Sequence, residues 1–109
     1  MNDIQGNPES LLAAIDLGSN SFHLIIAKSD FGELRPVQAL AEKVQLGETS
    51  STAMLTPGAI ERGLACLERF KQLIDSTAPA KLRIVGTNAL RRAKNRQDFI
   101  EPAEQILGT

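Results

Sequence analysis

The fold is decided by residues 11–27, LLAAIDLGSNSFHLIIA, in which a polar turn separates two apolar runs. The first run predicts a buried strand over 11–17, and the second predicts a strand over 22–29. Because only residues 18–21 lie between them, the two strands are expected to pair as an antiparallel hairpin. The second run is apolar at almost every position, so we expect both of its faces to be covered.

A third strand is predicted over residues 34–46, after a short turn at 29–33. Pro36 lies near the start of this strand, where its missing N–H donor suits an edge position. The side chains that we expect to point inward are those of Val37, Ala39, Ala41 and Val44. The first three strands therefore form an antiparallel meander.

The clearest helix is predicted over 57–77, because Thr56 suits the N-cap and Pro57 suits the first helical position. Its apolar residues repeat at helical spacing, namely Ile60, Leu64, Leu67, Phe70 and Ile74. A fourth strand follows at 82–87. A right-handed crossover places it parallel to the first strand, which gives the strand order 3-2-1-4.

Two shorter helices complete the pattern. One begins at Asn88, which we expect to cap it, and ends near Ala93. The last runs within 97–107, with Gly108 as its C-cap. Pro102 falls inside that stretch, so we expect a late start or a kink.

Composition limits the possible function classes. The chain has 109 residues, 42% of them hydrophobic, and a formal net charge of −1, which excludes a globally basic nucleic-acid binder. Residues 1–9 are polar and predict a disordered leader before one domain over 10–109. No secretory signal or membrane-length apolar run is visible, and a single cysteine fits a reducing compartment. We expect a cytoplasmic protein that binds neither membrane nor nucleic acid.

The polar residues of the first turn are candidates for binding phosphate. Gly18 can adopt backbone angles closed to other residues, and the amides after it can converge on an anion. Ser19, Asn20 and Ser21 add short donors. Asp16, at the end of the first strand, can hold a metal ion beside that phosphate. A simple hairpin turn has the same composition and stays an open alternative.

A second candidate site is electrostatic. Half of the 12 basic residues fall within 81–96, a stretch without any acidic residue. These residues are Lys81, Arg83, Arg91, Arg92, Lys94 and Arg96. Arg91 is the best single anion ligand, because it lies closest to the turn after the fourth strand. The alternative is a solvated helix face, and the lack of aromatic residues argues against stacking on single-stranded nucleic acid.

His23 and Cys66 are weaker candidates. A lone histidine in a strand is more often packed, or placed behind a ligand, than in contact with substrate. Cys66 lies one position from the apolar stripe of the long helix, which predicts an inert, partly buried thiol. The sequence contains no zinc-ligand spacing, Ser-His-Asp set or Walker loop.

Two segments carry a resemblance to a known family. Residues 14–24, AIDLGSNSFHL, and residues 84–95, IVGTNALRRAKN, resemble signatures of the exopolyphosphatase and guanosine pentaphosphate phosphohydrolase (Ppx/GppA) family. Weaker similarity is found at 42–48 and 63–67. The resemblance runs in order over residues 11–107.

The resemblance implies an α/β fold of the actin-like ATPase superfamily. This is a ribonuclease-H-like half-lobe, whose mixed sheet has three antiparallel strands plus one parallel strand, with helices packed on it. It also implies Mg²⁺-dependent release of terminal phosphate from polyphosphate, or from guanosine pentaphosphate. By motif position, Asp16 lies on the metal side and Arg91 binds phosphate charge. The first phosphate loop is then formed by Gly18, Ser19, Asn20 and Ser21.

Family members are several times longer than this chain. The resemblance places their catalytic glutamate beyond Thr109, and a second, glycine-rich phosphate loop further on. We therefore expect an N-terminal fragment that is inactive by itself and that forms a homodimer or other self-association through an exposed strand edge. The alternative is a self-standing anion-binding or sensor module that hydrolyses nothing.

Overall fold

A computed structural model describes residues 10–47, 54–86 and 88–109, without the side chains of residues 88 and 89. The predicted leader over 1–9 lies outside these residues. The strands are β1 (Ser10–Leu17), β2 (Ser21–Asp30), β3 (Glu33–Lys43) and β4 (Lys81–Gly86), and the helices are α1 (Pro57–Thr77), α2 (Asn88–Arg92) and α3 (Gln97–Leu107). No helix in these ranges is both long and apolar enough to cross a membrane.

The four strands form one mixed sheet. Their order is β3-β2-β1-β4, in which β1 and β2 pair antiparallel, β2 and β3 pair antiparallel, and β1 and β4 pair parallel. The strand order and the mixed α/β sheet predicted from the sequence are therefore confirmed. The bounds of α1 are also those predicted, and the Thr56 hydroxyl accepts a hydrogen bond from the N–H of Ala59 at 3.1 Å.

The core lies between one face of the sheet and helices α1 and α3. The buried side chains on β1 are Ala13, Ile15 and Leu17, and those on β2 are Phe22, Leu24 and Ile26. The Phe22 and Phe99 rings meet edge to face, with centroids 6.0 Å apart. Gly63 on α1 makes this contact possible, because a Cβ there would lie 2.7 Å from Cε1 of Phe99.

The opposite face of the sheet is open among the described residues. The expectation that both faces of β2 are covered is therefore wrong, since His23 and Ile25 are exposed on it. Within the apolar run of β2, buried and exposed positions alternate, because α1 and α3 both lie on the same side of the sheet.

The third strand differs most from its prediction. It ends at Lys43, and the expected inward positions Val37, Ala39 and Ala41 are all exposed, because β3 is an edge strand to which α1 bonds near its end, at Glu42. Val44 is buried, but it lies after the strand. The edge position that Pro36 predicted is confirmed, and the β2–β3 register shifts between Ile26 and Ala27, opposite this proline.

The two C-terminal helices begin close to their predicted positions. The expected cap by Asn88 falls on a side chain outside the described ones, and α2 itself begins at that residue. Helix α3 begins at Gln97 and continues through Pro102, so the late start is not found. Gly108 ends α3 with φ 76°, which confirms it as the C-cap.

Candidate anion-binding site

Three segments meet at one end of the sheet. They are the β1–β2 turn at 18–21, the loop at 44–47 that follows β3, and the end of β4 at Gly86. The parallel register places Leu17 beside Gly86, so the turn begins at the same end of the sheet as the last residue of β4. The antiparallel register places Ser21 opposite Lys43, so the loop that follows β3 begins at this end of the sheet as well.

The turn is tight for a reason that the sequence did not reveal. The N–H of Gly18 donates to the carbonyl of Ser21 at 3.1 Å, which leaves Ser19 and Asn20 exposed at the tip. Gly18 does not have a positive φ, so unusual backbone angles do not explain why a glycine occupies this position. Glycine is required because a Cβ would lie 2.5 Å from the carbonyl oxygen of Ser21.

The loop at 44–47 holds this turn from one side. The N–H groups of Val44 and Gln45 both donate to the carbonyl of Asn20, each at 2.8 Å. The N–H of Gly47 donates to the carbonyl of Ser19 at 2.8 Å. The turn is therefore a braced element rather than a free hairpin tip.

Asp16 lies on the open face of the sheet, and its side chain is exposed. Its neighbours across the adjacent strands are His23 on β2 and Val85 on β4. His23 is therefore not a packed core histidine. The described residues contain no group of three or more acidic, histidine or cysteine side chains placed to hold a metal ion. One carboxylate still fits Mg²⁺, which usually keeps several waters and takes the rest of its ligands from substrate phosphates.

Arg91 is held at the end of β4. Its Nη2 donates to the carbonyl of Gly86 at 2.9 Å, and the side chain stays exposed. Because Gly86 is the register partner of Leu17, this guanidinium is held at the end of the strand beside β1, the strand that leads into the turn. Lys81 and Arg83 instead border the open sheet face, so the structure divides the basic segment 81–96 into two groups.

A carboxylate, a guanidinium and a thiol form a separate cluster away from the turn. The Nε and Nη2 atoms of Arg69 bind both carboxylate oxygens of Glu42, at 2.8 and 2.6 Å, and this hydrogen bonding lowers the pKa of Glu42. The carboxylate is thus already engaged. Cys66 is fully buried rather than partly so, and burial raises its thiol pKa to about 12, which leaves it inert as expected.

Two braces of this region were missed by sequence reasoning. Arg62 on α1 donates from Nε to the carbonyl of Val44 at 2.8 Å. Asn95 binds the backbone of Leu55 in both directions, accepting at 2.8 Å and donating at 3.0 Å. Their partners lie 18 and 40 residues away, so no local spacing could reveal them. The one available signal was that Asn95 closes the second quoted signature.

Comparison with known proteins gives a consistent result. The sequence model of the Ppx/GppA phosphatase family matches residues 25–109. The fold matches the Aquifex aeolicus PPX-GPPA enzyme with a TM-score of 0.86 and 34% identity, over 94% of this chain and 34% of that chain. An exopolyphosphatase from Cytophaga hutchinsonii ATCC 33406 matches with a TM-score of 0.84 and 27% identity, over 90% of this chain and 32% of that one. The chain thus spans about one third of the length of these solved relatives.

Proposed function

The chain belongs to the Ppx/GppA phosphatase family, and from this premise we propose that it supplies the first phosphate-binding turn of a phosphoanhydride hydrolase. The substrate is polyphosphate or guanosine pentaphosphate, from which the terminal phosphate is released. The observation that carries this proposal is that the braced turn at 18–21 follows β1 at the same end of the sheet where Arg91 is bonded to the last residue of the neighbouring strand β4.

The donors assigned to the terminal phosphate are those of Ser19, Asn20, Ser21 and Arg91, while Gly18 shapes the turn, because its own N–H donates to the carbonyl of Ser21. In support, the backbone N–H groups of Ser19 and Asn20 donate to no backbone carbonyl among the described residues. Amides that lack a protein acceptor in a tight turn suit an anion. Arg91 uses Nη2 to hold itself to the sheet, and its other N–H groups can bind a phosphate oxygen.

Asp16 is the residue that we assign to Mg²⁺. Its exposed carboxylate stands two residues before the turn, which suits an ion shared between this side chain and a bound phosphate. When bound, the ion neutralises negative charge on the phosphates. The role of the chain itself is to hold that carboxylate on a rigid strand.

The general base is assigned to the part of the relatives' length that this chain does not span. A base must reach the attacking water, and Asp16 is committed to the metal in this scheme. Glu42 is unavailable because Arg69 binds both of its oxygens. We therefore propose that the 109-residue chain binds phosphoanhydrides without hydrolysing them.

We also propose a cytoplasmic location, without a nucleic-acid or membrane partner. In support, the one cysteine of the chain, Cys66, is a free buried thiol, and the formal net charge is −1.

Titration with pyrophosphate tests the site. Arg91→Ala should weaken binding about tenfold, because a hydrogen bond to a charged group contributes roughly 1.5–3 kcal/mol. Arg35→Ala is the matched control, since Arg35 is also exposed but is paired with Asp30 at 3.0 Å near the tip of the β2–β3 hairpin. Equal losses in the two variants would show that only diffuse charge is being measured.

Phosphate release with Mg²⁺ tests the assignment of the base. The isolated chain should release none from polyphosphate. Release that Asp16→Ala abolishes would place the base in this chain and contradict the scheme.

The second candidate function is that of a non-catalytic anion sensor, which is favoured by the presence of a single carboxylate at the described site. Assay of the complete gene product against both substrates separates the two, because a sensor binds without turnover.

A further inference from the structure

We propose that Arg62 is a positioning residue for phosphate binding, acting through the loop at 44–47. This rests on the proposed function of the turn at 18–21. Arg62 itself does not belong to the turn, and it reaches the loop from helix α1. Its role follows from three consecutive steps in the hydrogen-bond pattern.

The first step fixes the loop to the helix. Nε of Arg62 donates to the carbonyl of Val44 at 2.8 Å, while the contact from Nη2 to the carbonyl of Gln45 is longer, at 3.5 Å. The side chain is half-buried, so the shorter bond is shielded in part from water. The next residue is Gly63, whose lack of a side chain lets α1 pack against Phe99 and Phe22, so Arg62 projects from a packed part of the helix.

The second step joins the loop to the turn. Two successive N–H groups, of Val44 and Gln45, converge on the carbonyl oxygen of Asn20. Gln45 has φ 56°, a left-handed conformation that is uncommon for a residue with a side chain. Left-handed residues allow neighbouring N–H groups to point at one acceptor. The carbonyl of Val44 and the N–H of Gln45 belong to one peptide plane, so holding that carbonyl helps to keep the N–H of Gln45 directed at Asn20.

The third step sets the direction of the turn's own amides. All described peptide bonds are trans, so each N–H points opposite to the carbonyl of the residue before it. Because the carbonyls of Ser19 and Asn20 point at the loop, the N–H groups of Asn20 and Ser21 point away from it. The brace thus turns two carbonyl oxygens away from a bound phosphate, and it directs the N–H of Asn20, at the exposed tip, away from the loop. Without it, either peptide could rotate and present an oxygen that repels the anion.

The test measures pyrophosphate affinity of the full chain and of Arg62→Gln. The dissociation constant should rise about tenfold, the low end of what loss of an outer-shell partner costs at metal sites. Arg69→Gln is the control, since it removes the same charge from the same helix but its partner is the side chain of Glu42. That variant should change the affinity less than Arg62→Gln does, because it leaves the bond to the carbonyl of Val44 in place.

A second variant loosens the brace without changing charge. Gly47→Ala places a Cβ 3.1 Å from Cβ of Ser19, so loop and turn must separate slightly, and the affinity should fall, though by less than in Arg62→Gln. Arg62→Lys should restore part of the affinity, since an ammonium can still reach the carbonyl of Val44. Amide hydrogen exchange without ligand supplies a readout independent of binding. The N–H groups of Val44, Gln45 and Gly47 should exchange faster in Arg62→Gln than in Arg69→Gln.

The outcomes separate the two proposals. Absence of pyrophosphate binding by the unmodified chain would overturn the proposed function, and the role of Arg62 with it. If the unmodified chain binds and Arg91→Ala weakens that binding, but Arg62→Gln binds as tightly as Arg69→Gln, only the role of Arg62 is overturned. Selective loss in Arg62→Gln and Gly47→Ala, with faster exchange of the loop amides in Arg62→Gln, supports it.

Discussion

The two faces of the sheet are built from the same strands and have opposite environments. On the covered face, the side chains of β1 and β2 pack against α1 and α3, and Leu24 and Ile15 have no exposed surface. On the open face, Asp16, His23 and Ile25 are exposed in the described structure. Burial of apolar side chains stabilises the fold on the covered face. The candidate site residues lie on the open face and at one end of the sheet. The effect of a mutation on the free energy of unfolding therefore depends more on which face carries the residue than on the residue type.

The largest expected difference is between two neighbouring residues of β2. Leu24 is fully buried and Ile25 is 43% exposed, although the two side chains have almost the same apolar content. Leu24→Ala should cost about 2–5 kcal/mol of unfolding free energy, through lost burial and a residual cavity. Ile25→Ala should cost less than about 1 kcal/mol, because its side chain keeps contact with water in the folded chain.

Urea unfolding of both variants measures this difference. The exposed variant is the control for the loss of methyl groups and of β-propensity, which the two changes share. Similar losses in free energy would mean that the open face is covered in solution, which would remove the contrast between the faces.

The sequence predicted the elements of the covered face well, for physical reasons. Helix α1 could be located because a cap, an N1 proline and an apolar stripe all agree over one segment. The strand order followed from the hairpin turn and the handedness of the crossover. Such local and topological rules do not depend on distant partners.

The environment of β3 could not be predicted in the same way. Val37 and Ala39 have strand periodicity, but whether a strand face is covered depends on which helix reaches it, and α1 bonds to β3 near its end, at Glu42. The site was predicted in part. The placement of the turn and of Arg91 at the same end of neighbouring strands follows from strand order, whereas the brace by Arg62 depends on a contact between residues 18 apart.

An intermediate effect is expected from the titration of Cys66 on the helix side of the molecule. Burial raises the thiol pKa from 9.0 to about 12, and the nearby carboxylate of Glu42 adds to the shift. The folded chain keeps this proton where the unfolded chain loses it. The stabilisation is therefore complete below pH 9 and is lost as the pH rises from 9 toward 12.

Unfolding free energies measured between about pH 8 and pH 10.5 test this sign. The unmodified chain should lose roughly 2 kcal/mol more than Cys66→Ala over that range. Lysines titrate in both chains, so the comparison removes their contribution. Parallel pH profiles for the two proteins would show that the thiol is open to solvent in the folded state, against the burial of this position.

The smallest expected effect concerns association between copies of the chain at the two sheet edges. Val85 on β4 and Val37 on β3 are each 52% exposed, so the two edge strands expose a valine side chain to the same extent. Beside β4 lies a groove of about 300 Å³ lined by Leu90, Phe99 and Leu107, among others. Edge β3 instead contains Pro36 and a register shift, which oppose pairing with another strand. We therefore propose that weak self-association uses β4.

Light scattering at rising concentration measures this association, and the edges provide a matched pair of variants. Val85→Lys should suppress it, because a charge on an edge strand disfavours pairing with a second copy. Val37→Lys adds the same charge to an equally exposed position and should leave the association unchanged. A strict monomer at high micromolar concentration would rule out the β4 contact. Equal suppression by the two lysines would instead assign the association to diffuse apolar attraction, which the open face could supply without any strand pairing.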